Sequence, residues 1–301
     1  MIRVVAKFFL FVVAIHSIVA CNSSEIQTVK KRSEEAAVSE RKGHVIPKIP
    51  EKLTYCGIDI PLDNFDVRER LDRELIINAH FHSSTIQILK KSGRFFPEIE
   101  RILAQEKVPD DLKYLCVIES ALSQATSPTG AKGFWQFMPT TAEEFGLEIS
   151  NEVDERLDVA KSTRAACDYL KQAQGHFNDW VLTSASCNCG IGGLSRVIEE
   201  QQQSNFFDLF LNNETSRYIF RILALKIIME NPEAIGFEIS KEELYQPVPV
   251  REIKITESIT NLASWAKAQG TNLQLLKVVN PWLVGNSLSI KDKSFTLKIP
   301  Q

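Results

Sequence analysis

From Val67 onward, apolar residues recur every fourth position. Val67, Leu71 and Leu75 alternate with charged residues, and this spacing predicts a helix that runs on to Lys91. Gly93 interrupts the pattern, and a second helix is expected from Phe95 to Gln105. It ends before Val108-Pro109, after which Asp110 and Asp111 stand where side chains cap a new helix. Helical spacing dominates as far as Met229, where Asn231-Pro232 stops the last long helix, and strand-like alternation is scarce. Past Tyr245 the pattern changes. Pro247 and Pro249 mark a boundary, and Arg251 to Ile255 alternates like a strand. Ile259 to Ala268 and Leu273 to Val279 have helical spacing, and Phe295 to Ile299 alternates again. The expected fold is mainly α: a helical domain over 57–245, then a small β-α-α-β module over 246–301.

Composition narrows the classes. The chain has 301 residues, 44% hydrophobic and 24% charged, which is ordinary globular composition and excludes collagen-like, coiled-coil and wholly disordered chains. A net charge of -3 argues against a large basic surface for nucleic acid. Six cysteines are too few for a disulfide scaffold. The first twenty residues change the picture more. Arg3 and Lys7 precede an apolar run, Phe8 to Ile15, that is too short to span a bilayer and suits a signal-peptide core over 1–20. The run ends in Ile18-Val19-Ala20-Cys21, which resembles the lipobox of bacterial lipoproteins. That resemblance implies lipidation at Cys21 and a membrane anchor; a plain signal peptide is the alternative. Asn22 after the cysteine is compatible with a periplasmic protein tethered to the outer membrane. Residues 21–56 are expected to form a flexible linker, being rich in Ser, Glu and Lys with almost no aromatics.

The most informative segment runs from Leu112 to Leu122. On a helix, Leu112, Leu115, Cys116, Glu119 and Leu122 share one face, so a carboxylate sits where an apolar residue is expected. Desolvation there would raise its pKa and fit it for general-acid chemistry, whereas an Arg or Lys from elsewhere would make it a structural ion pair. Both readings stand on this segment alone. Downstream, Ser127-Pro128-Thr129-Gly130-Ala131-Lys132-Gly133-Phe134-Trp135-Gln136-Phe137-Met138-Pro139 combines a glycine-punctuated turn, aromatics and one amide. Such a set suits carbohydrate, although each aromatic taken singly suits the core equally well. Thr141 and Glu144 are spaced as a capping box, which reads Glu143 and Glu144 as helix-start charges. Asp154, Arg156, Asp158 and Lys161 alternate in sign and read as a salt-bridged turn.

The run Glu119-Ser120-Ala121-Leu122 with Ser127 to Ala142 resembles the lytic transglycosylases of the soluble-transglycosylase, goose-type-lysozyme-like group (glycoside hydrolase family 23), and within it the membrane-bound D-type enzymes. Pro109 to Leu115, Asp154 to Asp158, Lys161 to Ala166, Asn188-Cys189-Gly190 and Glu214 to Tyr218 extend the likeness. The resemblance implies a lysozyme-like helical fold with Glu119 as catalytic acid and base, and Ser127, Gln136, Asn188 and Tyr218 as groove residues. It also implies the reaction. Glu119 would protonate the MurNAc-β-1,4-GlcNAc oxygen of peptidoglycan glycan strands, then accept the proton of the sugar's own C6 hydroxyl, closing a 1,6-anhydro ring. No positioned water, metal or organic cofactor is then required. The family pattern is not matched throughout: Cys187 stands where a Tyr is usual.

Residues 250–300 resemble a divergent LysM module, on Asn280-Pro281-Trp282-Leu283 and Leu297 to Pro300. The usual Gly-Asp-Thr-Leu turn is replaced by Lys254 to Ile259, so a glycan-binding module and a packing module are both open. Beside the transglycosylase stand two further readings: a lysozyme-type hydrolase that uses water, and a peptidoglycan-binding scaffold that has lost catalysis. After Cys21 an odd number of cysteines remains (56, 116, 167, 187 and 189), so at least one is left without an intrachain partner. A core or disulfide role is expected for the Cys187-x-Cys189 pair rather than a metal site.

Overall fold

A computed structural model describes residues 46–291 and 293–301. The expected signal segment 1–20, Cys21 and the expected linker as far as residue 45 lie outside the described residues. Pro47–Gln301 form one compact unit. Its first elements are a short antiparallel hairpin, β1 (Thr54–Tyr55) and β2 (Ile58–Asp59). Tyr55 is fully buried and its hydroxyl bonds Ser184 at 2.9 Å, while Leu53 packs in the same core. Packed structure therefore starts before residue 57, inside the expected linker.

Helix α1 (Phe65–His80) buries Val67, Leu71 and Leu75, as their spacing demands, and is capped by the Asn64 side chain. It does not run on to Lys91. The chain leaves helical geometry at Phe81, and α2 (His82–Gln105) continues unbroken through Gly93 and Pro97. Gly93 has a packing reason instead. A Cβ there would lie 2.8 Å from the Leu244 Cβ and 3.1 Å from the Tyr245 carbonyl, so glycine lets residues 244–245 lie against the helix. The Tyr245 amide then donates to the Lys90 carbonyl at 2.8 Å. The helical preference lost to glycine, about 0.5–1 kcal/mol, is offset by that contact.

A 3-10 turn, Asp110–Leu112, leads into α3 (Lys113–Ser120), and neither aspartate caps it through its side chain. Asp111 accepts from the Cys56 amide (2.7 Å) and from Lys226 (2.5 Å), joining hairpin, turn and last long helix. Asp110 pairs with Lys113. Then follow α4 (Pro139–Glu144), α5 (Val159–Phe177), α6 (Trp180–Cys189), α7 (Ile191–Gln201) and α8 (Asn213–Glu230). Asp158, Asp179 and Asn212 cap α5, α6 and α8 with their side chains, each contributing about 1 kcal/mol. Helix α8 lies against α1, α3 and α6, and its Tyr218, Ile219, Phe220, Ile222 and Leu223 are buried. It ends at Asn231-Pro232, as the sequence predicts.

The last segment is β3 (Val250–Ile255), α9 (Leu262–Ala268), α10 (Leu273–Val279) and β4 (Phe295–Pro300), in the expected β-α-α-β order. The strands pair antiparallel from Val250↔Pro300 to Ile255↔Phe295. A two-stranded ribbon is marginal alone, so the two helices complete its core around Leu262, Leu276 and Leu297. Buried Asn280 ties the end of α10 to β4: its Nδ2 donates to the Leu276 and Lys298 carbonyls, and its Oδ1 accepts from the Lys298 amide. Val153 of the helical part joins this second core.

Candidate active site

Helix α3 is short and buried on nearly every side. Tyr114 to Ile118 and Ser120 are buried, and Glu119 is the one half-exposed residue after Lys113. The single apolar face read from the sequence is therefore too narrow, and Leu122 is not part of the helix. Ala121 (φ 50°) and Leu122 (φ 51°) both adopt left-handed backbone, ending the helix directly after Glu119-Ser120. Two such residues without glycine cost about 1–3 kcal/mol each and persist only where the surroundings enforce them. Here the Ala121 carbonyl accepts from Lys91 and its amide donates to Val117.

Glu119 opens into a cleft of about 620 Å³. Its Oε1 accepts a hydrogen bond from the Tyr218 hydroxyl at 2.6 Å. No ion pair reaches it among the described residues. The Arg221 guanidinium donates to the Ile118 carbonyl and acts on Glu119 only through space. Burial raises the Glu119 carboxyl; Tyr218 and Arg221 oppose this and Glu214 adds to it, and the net direction is upward. The structural ion-pair reading left open by the sequence is thus not what the chain builds.

The facing wall comes from the glycine-punctuated turn. Gly133 (φ 78°) lies against the Arg156 carbonyl, where a Cβ would clash at 2.0 Å. Gln136 is held in a left-handed conformation (φ 48°), and both its amide protons go to backbone, the Gly133 carbonyl (2.7 Å) and the Ala125 carbonyl (3.1 Å). That leaves the side-chain oxygen of this cleft-lining residue as its group able to accept from a ligand. The aromatics divide. Phe134 is core, edge-on to Phe95. Trp135 lines the cleft with its indole N–H fixed on Thr163 (3.0 Å), and Phe137 and Met138 join it.

Of the sequence-predicted residues, Glu119, Gln136 and Tyr218 line one cleft. Ser127 and Asn188 do not. Ser127 fastens its own turn, bonding Thr129 and accepting from the Ala131 amide. Asn188 bridges the end of α6 to the start of α8, accepting from Thr215 (2.8 Å) and donating to Glu214 (3.3 Å). Sequence reasoning missed Leu115 and Tyr169 as cleft residues; Tyr169 hydrogen-bonds the Ser186 carbonyl and packs edge-on to Phe145. It also misplaced Glu144. Helix α4 begins at Pro139 and has six residues, with no side-chain cap, so Glu144 closes it and faces the cleft. Cys187 lines the cleft with its thiol on the Thr183 carbonyl; burial, then the nearby Glu119 charge, push its pKa up and keep it protonated. All five described cysteines are free thiols, which sets aside the disulfide alternative for 187 and 189.

Comparison with known proteins agrees with this geometry. Residues 97–210, which hold Glu119 and Gln136, match the family model of the Transglycosylase SLT domain. Residues 251–301 match that of the Soluble lytic transglycosylase C-terminal LysM-like domain. Membrane-bound lytic murein transglycosylase D of Escherichia coli (strain K12) is 27% identical over 241 residues, covering 78% of this chain and 52% of the relative. The same-named protein of Escherichia coli O6:H1 matches equally, so the chain spans about half the length of the curated relatives it matches. An inactive mutant of the lytic transglycosylase Slt from Pseudomonas aeruginosa shares 21% identity at a TM-score of 0.36, over 50% of this chain and 26% of that one. The chain thus carries a transglycosylase SLT domain followed by a LysM-like domain, and it is homologous to membrane-bound lytic murein transglycosylase D.

Proposed function

We propose that this protein is a peptidoglycan lytic transglycosylase that cleaves the MurNAc-β-1,4-GlcNAc bond and leaves 1,6-anhydro-MurNAc ends, in cell-wall turnover. The observation that carries this is Glu119: a carboxyl raised by burial, in no ion pair among the described residues, hydrogen-bonded by a neutral hydroxyl and open to a cleft. A raised pKa favours the protonated carboxyl, which can donate to the glycosidic oxygen, and the carboxylate it leaves can take the C6 hydroxyl proton. Tyr218 holds the carboxyl in one orientation through both steps. Gln136 offers a carbonyl oxygen to sugar hydroxyl or amide protons, and Trp135 and Phe137 offer ring surface. Ser127 and Asn188 support this site at a distance, by shaping the turn and the junction of α6 with α8. The cycle calls for no cofactor. Lipidation at Cys21 would tether the enzyme to a periplasmic membrane face, the outer membrane by the Asn22 reading, within reach of the wall. The domain scheme 57–245 and 246–301 places all of this chemistry in the first domain.

The test is digestion of purified sacculi by the wild type and by Glu119→Gln, with mass analysis of the fragments. Anhydro ends are expected from the wild type, and a loss of about 10²–10⁴-fold in rate from the variant. Reducing ends would identify a hydrolase. Equal digestion by both proteins would remove Glu119 from the reaction.

A further inference from the structure

One loop of the helical part grips the LysM-like module, which also touches α2 through the Lys298–Glu98 ion pair (3.7 Å) and α5 through Lys161 over the Phe295 ring, and that loop also holds a wall of the Glu119 cleft. Residues 148–158 leave α4 and lead to α5. On one side they grip the segment between α10 and β4. The Val284 and Gly285 amides donate to the Glu152 carbonyl (3.0 and 3.1 Å), Ser289 N–H and the Ser287 hydroxyl donate to the Glu152 carboxylate, and Val153 bridges Leu283. Gly285 sits so close that a Cβ would lie 2.8 Å from the Glu152 Cα. The next residue turns the contact inward: the Asp154 amide donates to the Trp282 carbonyl at 2.9 Å.

The Asp154 side chain faces the other way. Its carboxylate accepts from Arg156 Nε (2.9 Å) and Nη2 (2.8 Å) and from Lys132 (3.1 Å). The remaining Arg156 nitrogen, Nη1, donates to the Gly130 carbonyl (2.9 Å) and the Phe137 carbonyl (3.2 Å). Those two carbonyls are the start of the glycine turn and the cleft-lining aromatic at its end. The guanidinium is buried, so its bonds to the Asp154 carboxylate and to the Phe137 carbonyl are made away from water.

We propose that Asp154 and Arg156 are positioning residues for the Gln136-Phe137 wall, and that the docked LysM-like module sets their geometry through Glu152 and the Trp282 carbonyl. The module then acts in cis on glycan binding rather than as a separate binding unit. The effect on substrate rests on the reading of the cleft as a glycan site; the mechanical coupling does not.

The experiment uses the full chain carrying Gly285→Val with Glu152→Ala, which wedges the docking contact and removes its side-chain bonds. Hydrogen exchange is followed at the Val284 and Gly285 amides, at Ala131, Lys132, Gly133 and Gln136 in the wall, and in β3 and β4 as a control for a folded module. Faster exchange at both the dock and the wall is expected, with the strands unchanged. On a soluble glycan strand KM should rise about threefold to tenfold while kcat stays within about twofold, because the wall moves and the acid does not. A merely destabilised protein would lose kcat with KM unchanged. Wall exchange unchanged in the variant overturns the coupling, whether the dock opens or not. Exchange is read without turnover, so a chain inactive on glycan would sink the reading of the cleft and leave this test standing.

Discussion

Glu119 and Asp154 are both carboxylates taken out of water in the same compact unit, and the protein treats them in opposite ways. Asp154 is 3% exposed and receives three hydrogen bonds from two cations. Burial alone would raise its pKa, but Arg156 and Lys132 outweigh it and hold the carboxyl below its ordinary range. Glu119 receives one bond, from a neutral phenol, and its pKa goes up. The partner, rather than the burial, decides whether a carboxylate becomes scaffold or reagent. A raised pKa is not enough by itself either. Asp158 is also raised by burial, yet it spends Oδ1 on the Lys161 amide as the cap of α5 and lies outside the Glu119 cleft.

The largest effect should come from breaking the Asp154 side of this comparison. Arg156→Met leaves a buried carboxylate with only Lys132, strips the Gly130 carbonyl of its donor and leaves the Phe137 carbonyl with the Lys132 amide alone. The expected loss is about 3–5 kcal/mol in denaturant unfolding. A loss under about 1 kcal/mol would mean that the pair contributes no more than an exposed one. The effect should also fade in acid. The folded pKa of Asp154 is depressed, so its contribution is present above the unfolded value and is lost as pH falls through the folded one.

Glu119→Gln should move stability the other way, and by less. The folded pKa of Glu119 is raised, so the wild type is favoured below the unfolded pKa and loses that advantage as pH rises through the folded value. The amide has no such dependence. The variant should therefore melt above the wild type at about pH 7, and the gap should close toward about pH 4. A variant that melts lower at both pH values would show that Glu119 is held by stabilising contacts, as Asp154 is.

Much of this was legible in the sequence, and the failures have physical causes. The helical domain, the stop at Asn231-Pro232 and the β-α-α-β module follow from periodicity and proline, because both act locally. Glu119 was visible because a charge among Leu115, Cys116 and Val117 violates the local pattern. What could not be read depends on contacts distant in sequence. Gly93 looks like a breaker until residues 244–245 are seen lying on it. Asp110 and Asp111 look like caps until Cys56 and Lys226 claim Asp111. The alternating charges of Asp154 and Arg156 read as a salt-bridged turn, but nothing in their spacing says that Gly130, Phe137 and Trp282 converge on them. Ser127 and Asn188 came from family likeness, and their side chains turn out to serve the turn and the α6–α8 junction.

The smallest predicted effect tests the Glu119 side directly. The Tyr218 hydroxyl donates to the carboxylate and so opposes the rise caused by burial. Tyr218→Phe removes that bond and leaves the ring in place, which should lift the Glu119 carboxyl further. If Glu119 must be protonated to act as the acid, activity falls as pH rises past its pKa. The alkaline limb of kcat/KM against pH, which reports the free enzyme, should then shift to higher pH in the variant. Asp154 supplies the contrast, since removing a donor there should change stability and leave this limb where it is. A limb that stays put in Tyr218→Phe, or moves toward acid, would mean that some other group sets it, and the neutral hydroxyl would no longer distinguish the two carboxylates.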